Sequence, residues 1–567
     1  MSPQSAARRG TPSSADADGT TQPAEADASR QPAEVDPSTP AADADGGTSP
    51  VETDAPAAPP PRAAGDASYP APAAVGGHPA GVDYPSRSDG VVRGLSEAIG
   101  GPLGSHANPA VGAAGGGTGR FWTAARIVLA LACLVLALHW VQKSPCQNGA
   151  WQNNIQYKDF CYTDVLALYY AEGLNEGKVP YRDQAVEYPV VTGYFMGALG
   201  LPVHALGVDR PALNQGQWFY NLNALVLSGL AVATVGVLLA LRRRRPWDAA
   251  MFALSPALLL TATVNWDLLA IGIGAFGLYA WARRRPALAG LLLGLAGAAK
   301  LWPIFLLGPI LVLAFRAARL RAALIAVATA VATVLVVNLP IAILYPKNWW
   351  RFFELNQTRA VDWGTLWYIG RYLDGKWRSG QPGQQGPFQW LSGHIPTLNT
   401  VSYLLFGAAC VGILVLTFRA PRRPRLGQLA FLVVAAFLIF SKVWSQQFTL
   451  WLLPLAVLAR PRWGAFLAWQ FAEVCYFVAF YGELLGTSTG TPVFPEGVFV
   501  LASTLRLVTV AVLCGFVVRE IMHPEQDAVR QTYADDPDGG VLDGAPDATW
   551  LTGRGAEGIH REPAVAT

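Results

Sequence analysis

Hydrophobic and polar positions in this chain come in blocks. Apolar runs stand near residues 122–141, 217–241, 247–264, 266–281, 286–301, 303–315, 322–345, 399–418, 426–441, 448–459, 463–481 and 498–519. A helix crossing the hydrocarbon needs about 20 mostly apolar residues, fewer where protein covers it. The pattern therefore predicts an all-α integral membrane protein with about 12 transmembrane helices. Arginines punctuate alternate gaps: Arg242 to Arg245, Arg283 to Arg285, then Arg316, Arg319 and Arg321, then Arg419, Arg422, Arg423 and Arg425, then Arg460 and Arg462. Loops rich in Lys and Arg stay in the cytoplasm, so both termini are expected there, in a multi-pass protein of the plasma membrane.

Residues 188–206 break the alternation. They are apolar enough to cross, yet one more crossing would turn every downstream arginine cluster outward. Parity predicts an interfacial or re-entrant segment, tolerated where protein covers its backbone.

Composition separates the tails from the middle. Residues 1–120 are rich in Ala, Pro, Gly, Ser and Asp and poor in large apolar side chains, too few to offset chain entropy. They predict a disordered cytoplasmic tail, and residues 521–567, Gly- and Asp-rich, a second one. No apolar stretch follows a basic start, so the first span at 122–141 is expected to serve as the signal anchor. Only 14% of the residues are charged, against about 25% in soluble domains. That deficit excludes an ordinary cytosolic enzyme and argues against a nucleic-acid partner.

Two loops are then large and extracytoplasmic, 142–216 and 346–398. Cys146 and Cys161 share the first, in a compartment where disulfides persist; spacing alone leaves the bridged and free forms both open. Cys133, Cys410, Cys475 and Cys514 lie in apolar spans and read as small core residues. No Cys or His spacing suits a metal, and no cofactor is expected.

Ionisable groups near a bilayer are costly and are functional candidates by default. On the side away from the arginines stand Asp164, at the start of a stretch with Val165, Leu168, Tyr169 and Glu172 at helical spacing, then Glu187 and Tyr188, Asp267 within Asn265-Trp-Asp267, and Lys300 within Lys300-Leu-Trp-Pro303. The second loop and its sequel add Arg351, Arg359, Asp362, His394, Lys442, Gln446 and Gln447. The plainer alternatives are an N-cap for Asp164 and interfacial anchoring for Trp302, Trp349, Trp350 and Trp451. Carboxylates beside cations suit glycosyl transfer. A carboxylate takes the proton of an attacking hydroxyl, and cations and amides hold a departing lipid phosphate.

The order Tyr162-Thr-Asp164, Glu187-Tyr-Pro189, Asn265-Trp-Asp267, Lys300-Leu-Trp-Pro303, Arg359-Ala-Val-Asp362 and Lys442-Val-Trp-Ser-Gln-Gln-Phe resembles the GT-C superfamily of glycosyltransferases, and within it glycosyltransferase family 87, an actinobacterial mannosyltransferase-like group. The resemblance covers residues 121–520. It implies inverting transfer of a hexose, mannose by family precedent, from a polyprenyl-phosphate donor to a glycolipid or cell-envelope glycan acceptor, with Asp164 as general base. Glu187, Tyr188, Asp267, Lys300, Arg359, Asp362, His394, Lys442, Gln446 and Gln447 are then expected to bind substrate. Ser445-Gln446-Gln447-Phe448 departs from the usual Ser-Pro-Gln-Tyr. The competing reading is a transporter or flippase of a lipid-linked sugar, which would favour repeated halves and a midplane site; neither is evident in the sequence.

Overall fold

A computed structural model describes residues 83–100, 123–378 and 385–552. These residues form helices and loops, with no β-strand among them. The principal helices are α1 (Ala124–Lys143), α2 (Asp164–Ala171), α3 (Val190–Asp209), α4 (Gln215–Leu241), α5 (Asp267–Ala282), α6 (Pro286–Ala299), α7 (Leu307–Arg316) and α8 (Leu320–Leu344). Then come α9 (Pro346–Thr358), α10 (Leu366–Trp377), α11 (Ile395–Arg419), α12 (Leu426–Phe440), α13 (Thr449–Ala459), α14 (Trp463–Thr489) and α15 (Glu496–Met522). Seven described helices, α1, α3, α4, α8, α11, α14 and α15, are long and apolar enough to cross a membrane, and α5, α6, α7, α12 and α13 are shorter apolar helices. The polytopic helical architecture expected from the apolar runs is present.

Small residues set the closest packing. Gly290 and Gly294 lie one turn apart on α6 against α8, where a Cβ on Gly290 would strike the Ala326 carbonyl and the Thr329 hydroxyl. Backbone approach through small residues is how apolar helices associate without a hydrophobic drive between them.

The bundle has two chemically distinct ends, and α4 runs between them. Its first residue, Gln215, accepts a hydrogen bond from the Tyr169 hydroxyl (3.0 Å). Just beyond its last, Arg242 pairs with Asp538 (2.6 Å). At about 1.5 Å per residue its 27 residues span about 40 Å.

All five arginine clusters converge on one C-terminal segment. Arg242 meets Asp538, Arg316 meets Asp547 (2.7 Å), Arg423 meets Asp535 (3.1 Å) and Arg425 meets Asp527 (2.7 Å). Arg284 donates to the Gly540 carbonyl (3.3 Å) and Arg462 to that of Gln526 (2.5 Å). The sorting of arginines to one face is thus a property of the fold. It also revises the tail boundaries. Residues 523–552, read from composition as part of a disordered tail, form short helices and turns, because arginines from separate loops neutralise aspartates that could not collapse alone. Asp83 and Asp89 likewise reach Arg245 (3.1 Å) and the Trp463 amide (2.6 Å). The remainder of both expected tails lies outside the described residues.

The segment expected to be interfacial or re-entrant is one continuous helix, α3, so the re-entrant form does not hold. Both ends of α3 sit at the end of the bundle away from the arginines. The Thr192 hydroxyl donates to Ala299 O (2.8 Å), beside Lys300, and His204 bonds to Asn175 O (2.8 Å). Gly207 packs on Gln215, at the start of α4. Helix α3 is long and apolar enough to cross a membrane, yet these contacts all lie in the half of the bundle away from the arginines.

Candidate functional site

Lys143, at the end of α1, donates to the carbonyls of Phe160 and Tyr162 (both 3.1 Å). A Cys146–Cys161 disulfide closes the same loop, resolving the pairing that spacing left open. Thr163 then caps α2 with its side chain (3.2 Å to the Val165 amide) and donates to Thr263 O (2.7 Å). The N-cap role considered for Asp164 therefore belongs to Thr163. Asp164 is the first residue of α2, and its amide donates to Val264 O (2.7 Å). Val165, Leu166, Leu168 and Tyr169 are all buried, so α2 is a packed element of the fold.

The Asp164 carboxylate is 4% exposed. It accepts from the Tyr162 hydroxyl at Oδ1 (2.9 Å) and from Asn265 Nδ2 at Oδ2 (2.7 Å). Each oxygen keeps a lone pair for a further proton donor. Burial, reinforced by the Asp164 charge, pushes the Tyr162 phenol well above its ordinary value, so it stays a donor.

Asn265 extends the network. Its Nδ2 also reaches the Tyr188 hydroxyl (2.5 Å), and its Oδ1 accepts from Lys300 Nζ (3.2 Å). Lys300 lies 3.4 Å from Asp267, whose Oδ1 also accepts from Trp451 Nε1 (2.7 Å). The Lys300 ammonium is 4.8 Å from the Tyr188 ring centre and 5.7 Å from that of Phe448. Trp302 and Phe448 stack on Trp451 at 5.8 and 4.1 Å. Trp302 and Trp451 are thus buried partners of the polar network, not interfacial anchors. Asp164, Tyr188, Asp267 and Lys300, named from separate motifs, meet in one connected group.

A second group forms around the loop 441–445. Asp362 receives the Ser445 hydroxyl (3.4 Å) and lies 3.8 Å from Arg359 Nη2. The Asp362 amide donates to Lys442 O (2.9 Å), while Lys442 Nζ donates to Gln357 O (3.2 Å). Burial, with Arg359 adding to it, pulls the Lys442 ammonium down to about 8. Arg359 Nη2 is buried without a hydrogen-bond acceptor among the described residues. Two cations facing one carboxylate leave donors to spare for an anion. Arg506, paired with Glu473 (3.1 Å), donates to the carbonyls of Trp444 and Ser445 (3.0 and 3.1 Å) and so fixes this loop.

Gln446 and Gln447 are buried on the short turn that follows. Gln446 reaches the Tyr481 hydroxyl, which itself donates to Tyr162 O (3.3 Å). The stretch 441–448 therefore runs from the Lys442 group to the Asp164 group.

Two expected residues stand outside these networks. His394 is exposed, stacked on Trp390 at 4.3 Å and bonded to Trp390 O (2.8 Å); it finishes the short helix Pro387–Gly393. Glu187 is half-buried, and its backbone amide donates to Glu172 (3.2 Å). Burial pushes the Glu172 carboxyl up to about 8, the Glu187 charge adding to it. Asn265, Tyr162, Lys143, Arg506 and Glu473 were not singled out as site residues. The last two carried a usable signal, since an ionisable group inside an apolar helix is a functional candidate.

A buried carboxylate with free lone pairs, beside a separate cationic group and aromatic walls, defines a site able to move a proton and hold an anion at one end of a membrane bundle. Residues 195–445 match the family model described as Glycosyltransferase family 87. The matched stretch includes Asn265, Asp267, Lys300, Arg359, Asp362 and Lys442; Asp164, Glu187 and Tyr188 precede it. No curated protein matches the chain. Over those residues the chain is similar to a glycosyltransferase family, and its long apolar helices are those expected of a membrane protein.

Proposed function

We propose that this protein transfers a hexose, mannose being the first candidate, from a polyprenyl-phosphate donor to a lipid or glycan acceptor. The transfer takes place at the extracytoplasmic face of the plasma membrane, with both termini in the cytoplasm. The observation that carries the reading is the buried Asp164 carboxylate, held by Tyr162 and Asn265 and connected through Asn265 to Lys300. As the acceptor oxygen attacks the anomeric carbon, its proton passes to Asp164. The bond from that carbon to the phosphate oxygen breaks, and its electron pair leaves with polyprenyl phosphate. Attack opposite the leaving group inverts the anomeric centre. Lys442, Arg359 and Lys300 stabilise the departing charge, preorganised donors being most effective where charge develops. Tyr188 and Phe448 offer faces for the sugar ring, and Gln446 and Gln447 border it. The family match does not favour the transporter alternative.

Donor class is tested by incubating the purified protein with radiolabelled polyprenyl-phosphate-mannose, polyprenyl-phosphate-glucose or a nucleotide sugar, together with a membrane lipid extract. Label is expected to move only from the lipid-linked donors. Transfer from the nucleotide sugar alone would remove the proposed leaving group. Orientation is tested with an impermeant thiol reagent on intact cells. A cysteine replacing Gly393 is expected to react and one replacing Ala534 to react only after lysis; the reverse pattern would place the site in the cytoplasm.

A further inference from the structure

At the arginine end, away from the Asp164 group, a cavity of about 590 Å³ opens between the start of α6, the turn joining α7 to α8, and the C-terminal segment. Arg284, Arg319, Arg321, Asp543, Ile325 and Pro546 are among its lining residues. We propose that this cavity binds a phosphate-bearing ligand, supplied either by an anionic phospholipid headgroup or by a soluble phosphate compound.

The charge balance is the first observation. Buried arginines at the same end, Arg242, Arg316, Arg423 and Arg425, are each neutralised by an aspartate. Among the described residues, no side-chain partner engages Arg319 or Arg321, and Arg284 donates only to the Gly540 carbonyl (3.3 Å). Three guanidiniums against the single carboxylate of Asp543 leave the lining with two positive charges in excess. The Asp543 carboxylate is engaged by the Asp536 amide (3.2 Å).

The backbone supplies a second. Helix α6 begins at Pro286 and α8 at Leu320, so two helix N-termini border the cavity. Their unpaired amides and positive dipole ends favour an anion. The turns before them are alike, each holding a non-glycine residue of the lining in the left-handed region, Arg284 (φ 59°) and Ala318 (φ 52°). Guanidiniums in this setting match phosphate oxygens through paired N–H donors.

The apolar side of the lining suits an amphiphile. Ile325 lies within the cavity, and the exposed Leu320 and Leu324 continue from it along α8. A phosphate seated on the arginines would let acyl chains follow that flank. Arginines near a membrane surface also attract anionic lipid diffusely, so the test compares equal charge losses at one end of the molecule.

Full-length protein is incubated with phosphatidylglycerol, phosphatidylcholine or inorganic pyrophosphate, and bound ligand is counted by native mass spectrometry. Phosphatidylglycerol is expected to be retained over phosphatidylcholine. Its retention is expected to fall about tenfold or more in Arg319→Gln/Arg321→Gln, which removes paired charge-assisted hydrogen bonds to the phosphate, and less than about twofold in Arg243→Gln/Arg419→Gln, whose side chains lie outside the lining. Arg284→Gln, a separate exposed change, is expected to give an intermediate loss. Pyrophosphate retention with the same dependence on the variants, and no preference for phosphatidylglycerol, would support the soluble source. Equal losses in both double variants, or retention of neither probe by wild type, would overturn the proposal.

Discussion

Asp164, the first residue of α2, and Asn265, in the turn before α5, are joined by a 2.7 Å hydrogen bond from the asparagine amide to the carboxylate. Asn265 thereby holds the carboxylate while its carbonyl receives Lys300 and its amide touches Tyr188. Replacing it with alanine leaves three buried polar groups without their shared partner. A buried group left unsatisfied costs about 1–3 kcal/mol, so Asn265→Ala is expected to lower kcat by about 10–100-fold. Asn265→Asp replaces the amide donor with a second carboxylate facing Asp164 and is expected to lose at least as much rate as Asn265→Ala; a wild-type rate in either variant would mean that Asn265 does not hold the base.

Lys442 gives an alkaline limb. Its ammonium titrates near 8 because burial and Arg359 both disfavour its charge. Only the charged form attracts a phosphate, so donor binding is expected to weaken as pH rises through about 8. A bound phosphate restores the charge, which confines the effect to kcat/KM for the donor and spares kcat at saturation. Lys442→Arg stays protonated throughout and is expected to lose the limb. Initial rates at varied donor concentration between about pH 6.5 and 9.5 would show it, and an identical limb in wild type and Lys442→Arg would assign it elsewhere.

Arg425 and Asp527 form an ion pair with both side chains fully buried (2.7 Å). Removing one partner strands the other, at a cost of about 3–5 kcal/mol. Asp527→Ala is expected to lower the unfolding temperature in detergent sharply. Lys178→Ala, which breaks an exposed pair with Glu176 (2.7 Å), is expected to change stability by less than about 1 kcal/mol. Similar small effects from both would mean that the C-terminal segment adds little to the bundle.

Gly290 is where α6 meets α8 most closely, against Ala326 and Thr329. Gly290→Val cannot be accommodated without parting the helices and is expected to reduce the monodisperse fraction on size-exclusion chromatography strongly. Gly308→Ala, where added atoms meet nothing within 4 Å, is expected to behave as wild type.

Much of this was legible in the sequence because hydropathy and charge act locally. Most apolar runs marked helices and the arginines marked one end, but the run 247–264, expected as one span, is broken at Ser255-Pro256 into short pieces, Pro246–Ala249, Ala250–Ala253 and Pro256–Thr261. Asp164, Lys300 and Lys442 stood out because charges near a bilayer are rare. What the sequence hid were pairings between distant loops. Asn265 looked like part of a motif, and only the fold shows it bridging Asp164 and Lys300. The aspartates at 527–547 looked like a solvated tail, since their partners come from loops far away in the chain. His394 attracted interest as a titratable group, yet its neighbour Trp390 satisfies it locally.

The central claim is that Asp164 accepts the acceptor's proton, and one substitution addresses it directly. Asp164→Asn keeps the shape and the Tyr162 bond but removes the base. Transfer of labelled hexose from polyprenyl phosphate, measured with purified wild type and variant at equal protein concentration, is expected to fall by about 100-fold or more, the range of general-base catalysis. The donor KM is expected to stay within about threefold, since the cations that hold the phosphate are untouched. Transfer by Asp164→Asn at the wild-type rate would contradict the assignment.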